Sequence, residues 1–515
     1  MKKALITTGL LLIAAVIFAQ SSDVLVKERT IGKMLVTQEE IKAKEYIFPD
    51  RIYDSYIDTI LESITVQLCG LSKNKKYLKK NGKILFYDLN DEKVKWSEDI
   101  SYQTSNIRQF GSTIIVTAGD KSYRLNNENG ADLWEVKNDI YFVDPVACVG
   151  IGYKSGSAKK YSNTLEGIDL ETGKTKWKEE LNREYGWNDA FRLKDSVWMI
   201  VTSGLHTVNA YDGTGWSYNT VTGDKDYSTT IATNAAGIAL GVLTGTFMIS
   251  TGYDVVRDIV SNVYFDSTGL YFASKEKISR INEDNGKIIW SYPFSAKLPS
   301  KSFLFTNDNY VFMINYGYAF MYARQIDYGT PFFAAFDKET GKQIFCTTLD
   351  KKNPIFGFKI KDDDLLLVLK DRIIKLSMSD GSKIFEKTMD DNKSGELEGF
   401  VGRHVYIDGA NSTLTNLLLS DTSKNYIVTS KKIFICNEKF YVIGDIDRDQ
   451  LYFAYKKIGD YKLVVKDNKT IVLDVDNKKV AELDITQKTT LIGNKLYSVQ
   501  EKSFLEIDLT DLFDR

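Results

Sequence analysis

The chain has 515 residues, 43% hydrophobic and 26% charged, the balance of a globular protein with ample core. Lys and Arg number 67 against 69 Asp and Glu, and this net charge of −2 argues against a general binder of nucleic acid or anionic membranes. Thirty Tyr and 27 Phe beside only six Pro favour strands.

Residues 1–20 have the pattern of a signal peptide. Lys2 and Lys3 form a positive start, Ala4 to Phe18 an apolar stretch, and Ile17 to Ala19 a cleavage site. The apolar run is short for a transmembrane helix, and polar residues follow at once. Export to the periplasm or beyond the cell is expected. No Cys follows the apolar run, so a lipoprotein is not expected. Residues 21–46 form an N-terminal segment with room for a closing strand and a short helix, and the repeat region runs from 47 to 515.

Within that region one unit recurs. Its intact copy is Asp169-Leu-Glu-Thr-Gly173-Lys-Thr-Lys-Trp177. Asp88 stands eight residues before Trp96, and Asn126, Gly130 and Trp134 repeat the spacing. So do Asn282, Gly286 and Trp290, then Asp337, Gly341 and Phe345, then Ser377, Gly381 and Phe385. A shortened copy ends at Trp216. Five of the seven Trp occupy this one slot, which chance does not explain. Each copy has the form of a strand, a turn and a second strand carrying the aromatic. The Asp or Asn side chain bonds its own turn, and Gly accepts the positive φ that such turns require.

The interval between aromatics is 38, 43 and 39 residues, then 74, 55 and 40. A period near 40 built of four short strands predicts propeller blades. After Phe385 the aromatic is lost, although stretches such as Lys439 to Ile443 still alternate like strands. The expected fold is all-β, a single β-propeller of eight blades with seven as the alternative.

The unit Asp-x-x-Thr-Gly-Lys-x-x-Trp resembles the tryptophan-docking repeat of quinoprotein-like (PQQ-repeat) propellers, over about residues 80–390. The resemblance implies that the Trp of one blade packs on the next, so these Trp are structural. It also implies two directions for function, one towards BamB-type outer-membrane assembly proteins and one towards PQQ-dependent alcohol dehydrogenases. The dehydrogenases hold a vicinal Cys pair over the cofactor, with calcium and an Asp base. Cys69, Cys148, Cys346 and Cys436 are nowhere adjacent. They sit in apolar strand-like contexts and are expected to be buried free thiols, with three disulfide connectivities left open.

Other chemistry is sparse. His206 and His404 have no nucleophile motif nearby and are expected on strands. Asp445 to Asp449 begins like a calcium loop, but Gln450 and Lys456 stand where such a loop needs Gly and Glu, so a solvated turn is expected. No catalytic or metal residue is assigned.

Three segments lengthen the repeat: Lys154 to Asn163, Asn219 to Ser261 and Gly317 to Pro331. They are expected to share one face of the propeller, the candidate binding surface. The second holds an uncharged run, 227–253, with Gly237, Gly241 and Gly245 at a spacing that lets apolar helices approach closely. The third is aromatic, with Tyr316, Tyr318, Phe320 and Tyr322 beside Arg324. The sequence thus points to an exported, non-catalytic scaffold with an envelope protein as partner and no cofactor. Neither nucleic acid nor a transmembrane span in the mature chain is expected, though peripheral membrane contact is allowed for. A PQQ- and calcium-dependent oxidoreductase is the alternative, with a carbohydrate- or small-ligand-binding propeller as a third.

Overall fold

A computed structural model describes residues 24–510 except 156–161, 182–188, 203, 220–259, 296–297, 322–323, 352, 362, 370, 390–394, 396, 403–404, 409–416, 419–424, 438–440, 448–451, 467–468 and 477. Strands are the only regular elements among these residues, and they build antiparallel sheets, most of them four-stranded. The chain divides into two compact units, Met1–Glu135 with Val465–Arg515, and Val136–Val464.

The sheet of Asn138–Asp144, Val149–Lys154, Thr164–Asp169 and Thr175–Glu180 shows how the unit is made. Its first three strands are buried along nearly their whole length. The fourth buries one residue, Trp177. Asp132–Val136 and Ile288–Pro293 repeat this, burying only Trp134 and Trp290. An outer strand with one large apolar anchor is what the sequence period encodes. Seven sheets among the described residues have four strands, one has five, and further strands join the chain ends. These sheets are not one-to-one with the seven or eight blades expected. The counting signal was the aromatic, and the sheets after Phe385 lack it.

The anchors work identically in both units. Asp169 Oδ1 accepts from the backbone N of Glu171 and Thr172 at 3.1 and 2.8 Å, and Gly173 N closes the turn on Asp169 O at 2.8 Å. The preceding aromatic lands on such a turn. Trp96 Nε1 donates to Asn127 O, Trp177 Nε1 to Ala210 O, Trp216 Nε1 to Glu283 O and Trp290 Nε1 to Lys338 O, all at 2.7–2.8 Å. Each ring lies flat on the turn glycine. A Cβ on Gly341, at φ +70°, would come 2.5 Å from Trp290, and one on Gly130 would come 2.8 Å from Trp96. Phe345 rests in the same way on Gly381. It has no N–H, and Thr347 Oγ1 donates to Gly381 O in its stead, at 2.6 Å.

The copy at Trp216 shows why its spacing is short. In intact copies the pairing of third and fourth strands skips the residue before the aromatic: Gly167 faces Trp177 and Ile168 faces Thr175. The skipped residue is a bulge, and Ile289, Ile344 and Ile384 occupy it as exposed side chains. At Trp216 the register runs without a skip. The anchor there is Asn209, whose Oδ1 accepts from Tyr211 N at 2.9 Å. Trp216 docks directly on the Asn282 turn, so the 74-residue interval is one period. The uncharged run 227–253 within it lies outside the described residues.

In the first unit both chain ends enter one sheet. Side by side stand Lys469–Leu473, Lys479–Leu483, Leu25–Met34, Glu40–Ile47, Ser503–Asp508, Lys495–Val499 and Thr489–Ile492. Leu25–Met34 and Glu40–Ile47 are therefore two strands, and no short helix stands among the described residues of this segment. The burial of Ile41, Ala43 and Glu45 on alternate positions gives the period of a strand. Tyr46 and Tyr497 donate to Glu506 Oε2 at 2.8 and 3.0 Å, and Lys495 Nζ sits 2.7 Å from Glu506 Oε1. Burial pushes the Glu506 carboxyl up, but these partners outweigh it and hold it below the usual range.

Trp177→Ala should destabilise the protein by roughly 3–5 kcal/mol in urea unfolding, the cost of a large aromatic truncation. Gly341→Ala should cost about 1–3 kcal/mol from backbone strain before any displacement of Trp290 is added. Trp187, the natural comparison outside the slot, lies outside the described residues. Losses well under 1 kcal/mol in both variants would mean that the slot does not hold neighbouring sheets.

Candidate functional site

Within an antiparallel sheet of four strands in order, the link from second to third strand leaves from the same end as the links into the first and out of the fourth. The three long segments of the second unit occupy those positions. Val149–Lys154 and Thr164–Asp169 flank the first, Ser217–Asn219 and Tyr264–Asp266 the second, and Tyr310–Asn315 and Phe332–Asp337 the third. Gly237, Gly241 and Gly245 lie outside the described residues. The third segment folds as a hairpin, Tyr318–Met321 paired with Arg324–Asp327.

A buried asparagine holds the base of this hairpin. Asn315 Oδ1 accepts from Ser300 N, Ser300 Oγ and Ser302 Oγ at 2.6–3.0 Å, while its Nδ2 donates to Thr330 O at 2.6 Å. Ser300 Oγ in turn accepts from Gly317 N at 2.9 Å. Every polar atom of the base is thereby matched, which fixes the exit angle of the chain. Tyr316 N donates to Lys301 O and Ile355 N to Tyr316 O, both at 2.8 Å, tying the hairpin to two inner strands.

Tyr316 and Tyr318 stack at 5.4 Å and 18°, and Tyr316 also meets Phe358 at 6.4 Å. Both tyrosines are half-buried, so Tyr316 belongs to the root of the hairpin more than to its surface. Burial raises both hydroxyls, that of Tyr318 to about 12, and pushes the Lys301 ammonium down to about 8. Phe320 and Arg324 lie on the two hairpin strands, and Tyr322 lies outside the described residues. The arrangement offers a rigid aromatic root with polar edges, suited to packing against a partner's apolar side chains.

Catalytic arrangements are not assembled among the described residues. His206 is buried on Gly204–Asn209 with Nδ1 2.9 Å from Ser217 Oγ. Its Nε2 has no hydrogen-bond partner, so no acid orients the ring as a triad would require. His404 lies outside the described residues. Asp445 is on the strand Val442–Asp447 and pairs with Lys432 at 2.7 Å, a correction to the expected solvated turn over 445–447, since pairing with Lys432–Cys436 runs on through Asp447, while Arg448 and Asp449 lie outside the described residues. No group of three or more His, Cys, Asp or Glu suits a metal among the described residues. All four cysteines are free, and Cys148 is exposed, not buried as expected, because its left-handed φ of 53° puts it in a turn.

Sequence inspection missed a second set of contacts between sheets. Trp198, outside the repeat slot, donates from Nε1 to Asp144 Oδ2 at 2.8 Å, with Arg192 at 3.4 Å. Lys338 Nζ lies 2.8 Å from Asp266 Oδ2. Each aspartate closes an inner strand, a position marked in sequence only by Asp before a turn.

Burial lowers the His206 imidazole to about 4. The unfolded chain, with an ordinary imidazole near ~6.5, takes up a proton that the folded chain refuses. Stability contributed by neutral His206 is complete above ~6.5 and is lost as pH falls towards 4, by at most about 1.4 kcal/mol per unit. Urea unfolding at pH 7, 5.5 and 4.5 should show a shallower loss for His206→Gln than for the natural chain. Parallel losses would contradict the assignment.

The sequence profile of the family described as outer membrane protein assembly factor BamB matches residues 123–327. No curated protein matches the sequence. Among solved structures, BamB from Moraxella catarrhalis is similar at 14% identity and a TM-score of 0.30, over 73% of this chain and 96% of that one. Quinohemoprotein alcohol dehydrogenase from Comamonas testosteroni is similar at 10% identity and a TM-score of 0.29, over 81% of this chain and 73% of that one. Over residues 123–327, with their docked tryptophans and Asx-closed turns, the chain is similar to the PQQ-repeat β-propeller family that this profile describes.

Proposed function

We propose that the protein is an exported, non-catalytic propeller that binds a protein partner in the cell envelope. The observation that carries this reading is the BamB profile match, whose span includes the aromatic hairpin Tyr318–Asp327. The positive start and apolar run of residues 1–20 support export, and the partner face is built on Tyr316, Tyr318, Phe320, Tyr322 and Arg324. Among the described residues no helix is long and apolar enough to cross a membrane, and the partner is taken to be met at the envelope surface of the mature chain.

Affinity capture from envelope fractions should retain one partner in near-stoichiometric amount. Tyr318→Ala should weaken that capture about tenfold or more, the effect of losing an aromatic anchor, with little change in the unfolding midpoint. Incubation with PQQ and calcium tests the opposite reading. Stoichiometric quinone binding with dye-linked alcohol oxidation would replace the scaffold by an oxidoreductase.

A further inference from the structure

Three inner strands of the protein end on an aspartate: Ile52–Asp58, Asn138–Asp144 and Tyr264–Asp266. In each, Oδ1 caps the following turn. Asp58 Oδ1 accepts from Ile60 N and Leu61 N at 2.8 and 3.1 Å, Asp144 Oδ1 from Val146 N and Ala147 N at 2.9 Å, and Asp266 Oδ1 from Thr268 N at 2.9 Å. The other oxygen looks to a neighbouring sheet, where Asp144 meets the Trp198 indole and Asp266 the Lys338 ammonium. Asp58 Oδ2 is equally buried, yet no protein donor reaches it and Asp58 takes part in no ion pair.

The groups around it bring further unpartnered oxygens. Ser63 stands directly opposite Asp58 in the register, and Thr65 follows two residues on, on the same face. Both hydroxyl oxygens are buried and without a hydrogen-bond partner. That face looks at the next sheet of the same unit: Phe86, opposite Thr65, packs with Ile114 and Val116. Ile107 joins this cluster, and Gln109, two residues further, is turned to the same junction. Gln109 Oε1 is buried without a partner, while Nε2 donates to Gly111 O at 2.9 Å. Flipping the amide would set Oε1 against that carbonyl, so the acceptor stays turned inward.

One carboxylate oxygen, two hydroxyls and an amide oxygen thus line one junction, and none bonds another. A buried carboxylate oxygen that no protein donor reaches is costly unless a positive charge joins it. An all-oxygen set with a single anionic member suits a hard cation and neither zinc nor copper. We propose that Asp58, Ser63, Thr65 and Gln109 bind a hard, oxygen-ligated cation, calcium or sodium, that joins the first two sheets of the first unit. With a single carboxylate, calcium affinity should fall near ~0.1–1 mM, the range of weak extracellular sites.

The test uses the full chain, stripped with EDTA and held in a choline chloride buffer. Calcium, sodium and magnesium chlorides are then titrated separately while thermal unfolding is followed. Calcium or sodium should raise the midpoint saturably, by about 3 °C or more at a hundredfold excess over Kd, and the stronger of the two names the ion. Magnesium should act more weakly, since it sheds water reluctantly. Asp58→Asn should abolish the response, while Asp88→Asn, with its carboxylate already at Lys95, should keep it. If Asp58→Asn does not fold, Thr65→Val and Gln109→Met each serve, and should raise the half-saturating concentration about tenfold. A stripped chain indifferent to all three ions overturns the proposal. So does a response undiminished in Asp58→Asn, or in both of the other variants.

Discussion

A buried indole N–H must find an acceptor, and in this protein a turn supplies it. The anchor residue spends its own carbonyl on the turn glycine, as Asn126 O does on Gly130 N at 2.8 Å. The next carbonyl is left facing outward, where Trp96 takes it. One local motif therefore does two things at once: it ends a strand and offers a docking point for the sheet before it. The glycine is needed twice over, for its left-handed backbone and because the ring lies where a methyl would be. Where the motif is intact, sheet follows sheet because each carries both the ring and the landing site.

The same junctions carry a polar layer nearer the inner strands. Lys338 is instructive, since its carbonyl accepts from both Trp290 and Arg280 while its ammonium pairs with Asp266. Burial alone would raise the Asp266 carboxyl, but the Lys338 partner prevails and lowers it. Apolar packing brings the sheets together. These charge pairs, which tolerate one angle and one spacing, select a register for them.

Legibility in the sequence followed from how local each signal is. The Asp-to-Gly-to-Trp spacing sits within nine residues, so the docking units and the all-β class could be read directly. Asn209 could not, because loss of the bulge residue before Trp216 broke the spacing that identifies an anchor. Trp198 was invisible for a different reason: its partner Asp144 is 54 residues away and belongs to no repeat. The sheets after Phe385 carry no such local mark, since strands such as Lys432–Cys436 pack without the aromatic. Of the proposed partner face, the Tyr316–Tyr318 stack was foreshadowed by composition. The serines and the asparagine that set its angle were not, being common residues made special only by burial.

The pairing of Glu40–Ile47 with Ser503–Asp508 has a temporal side. Residues such as Tyr46 and Glu506 are 460 apart, and synthesis delivers the first long before the second. The hairpin Leu25–Ile47 can form as soon as it emerges, but both of its outer edges must wait for the last strands of the chain. Throughout that interval it presents unpaired N–H and C=O groups, the template on which strands of other molecules add. Its charged faces, with Lys27, Arg29, Lys42 and Lys44, are the kind of feature that keeps such an edge from pairing wrongly. Assembly of the final sheet is thus the step with the largest loop to close, and the one at which the growing chain is most open to chaperones and to aggregation.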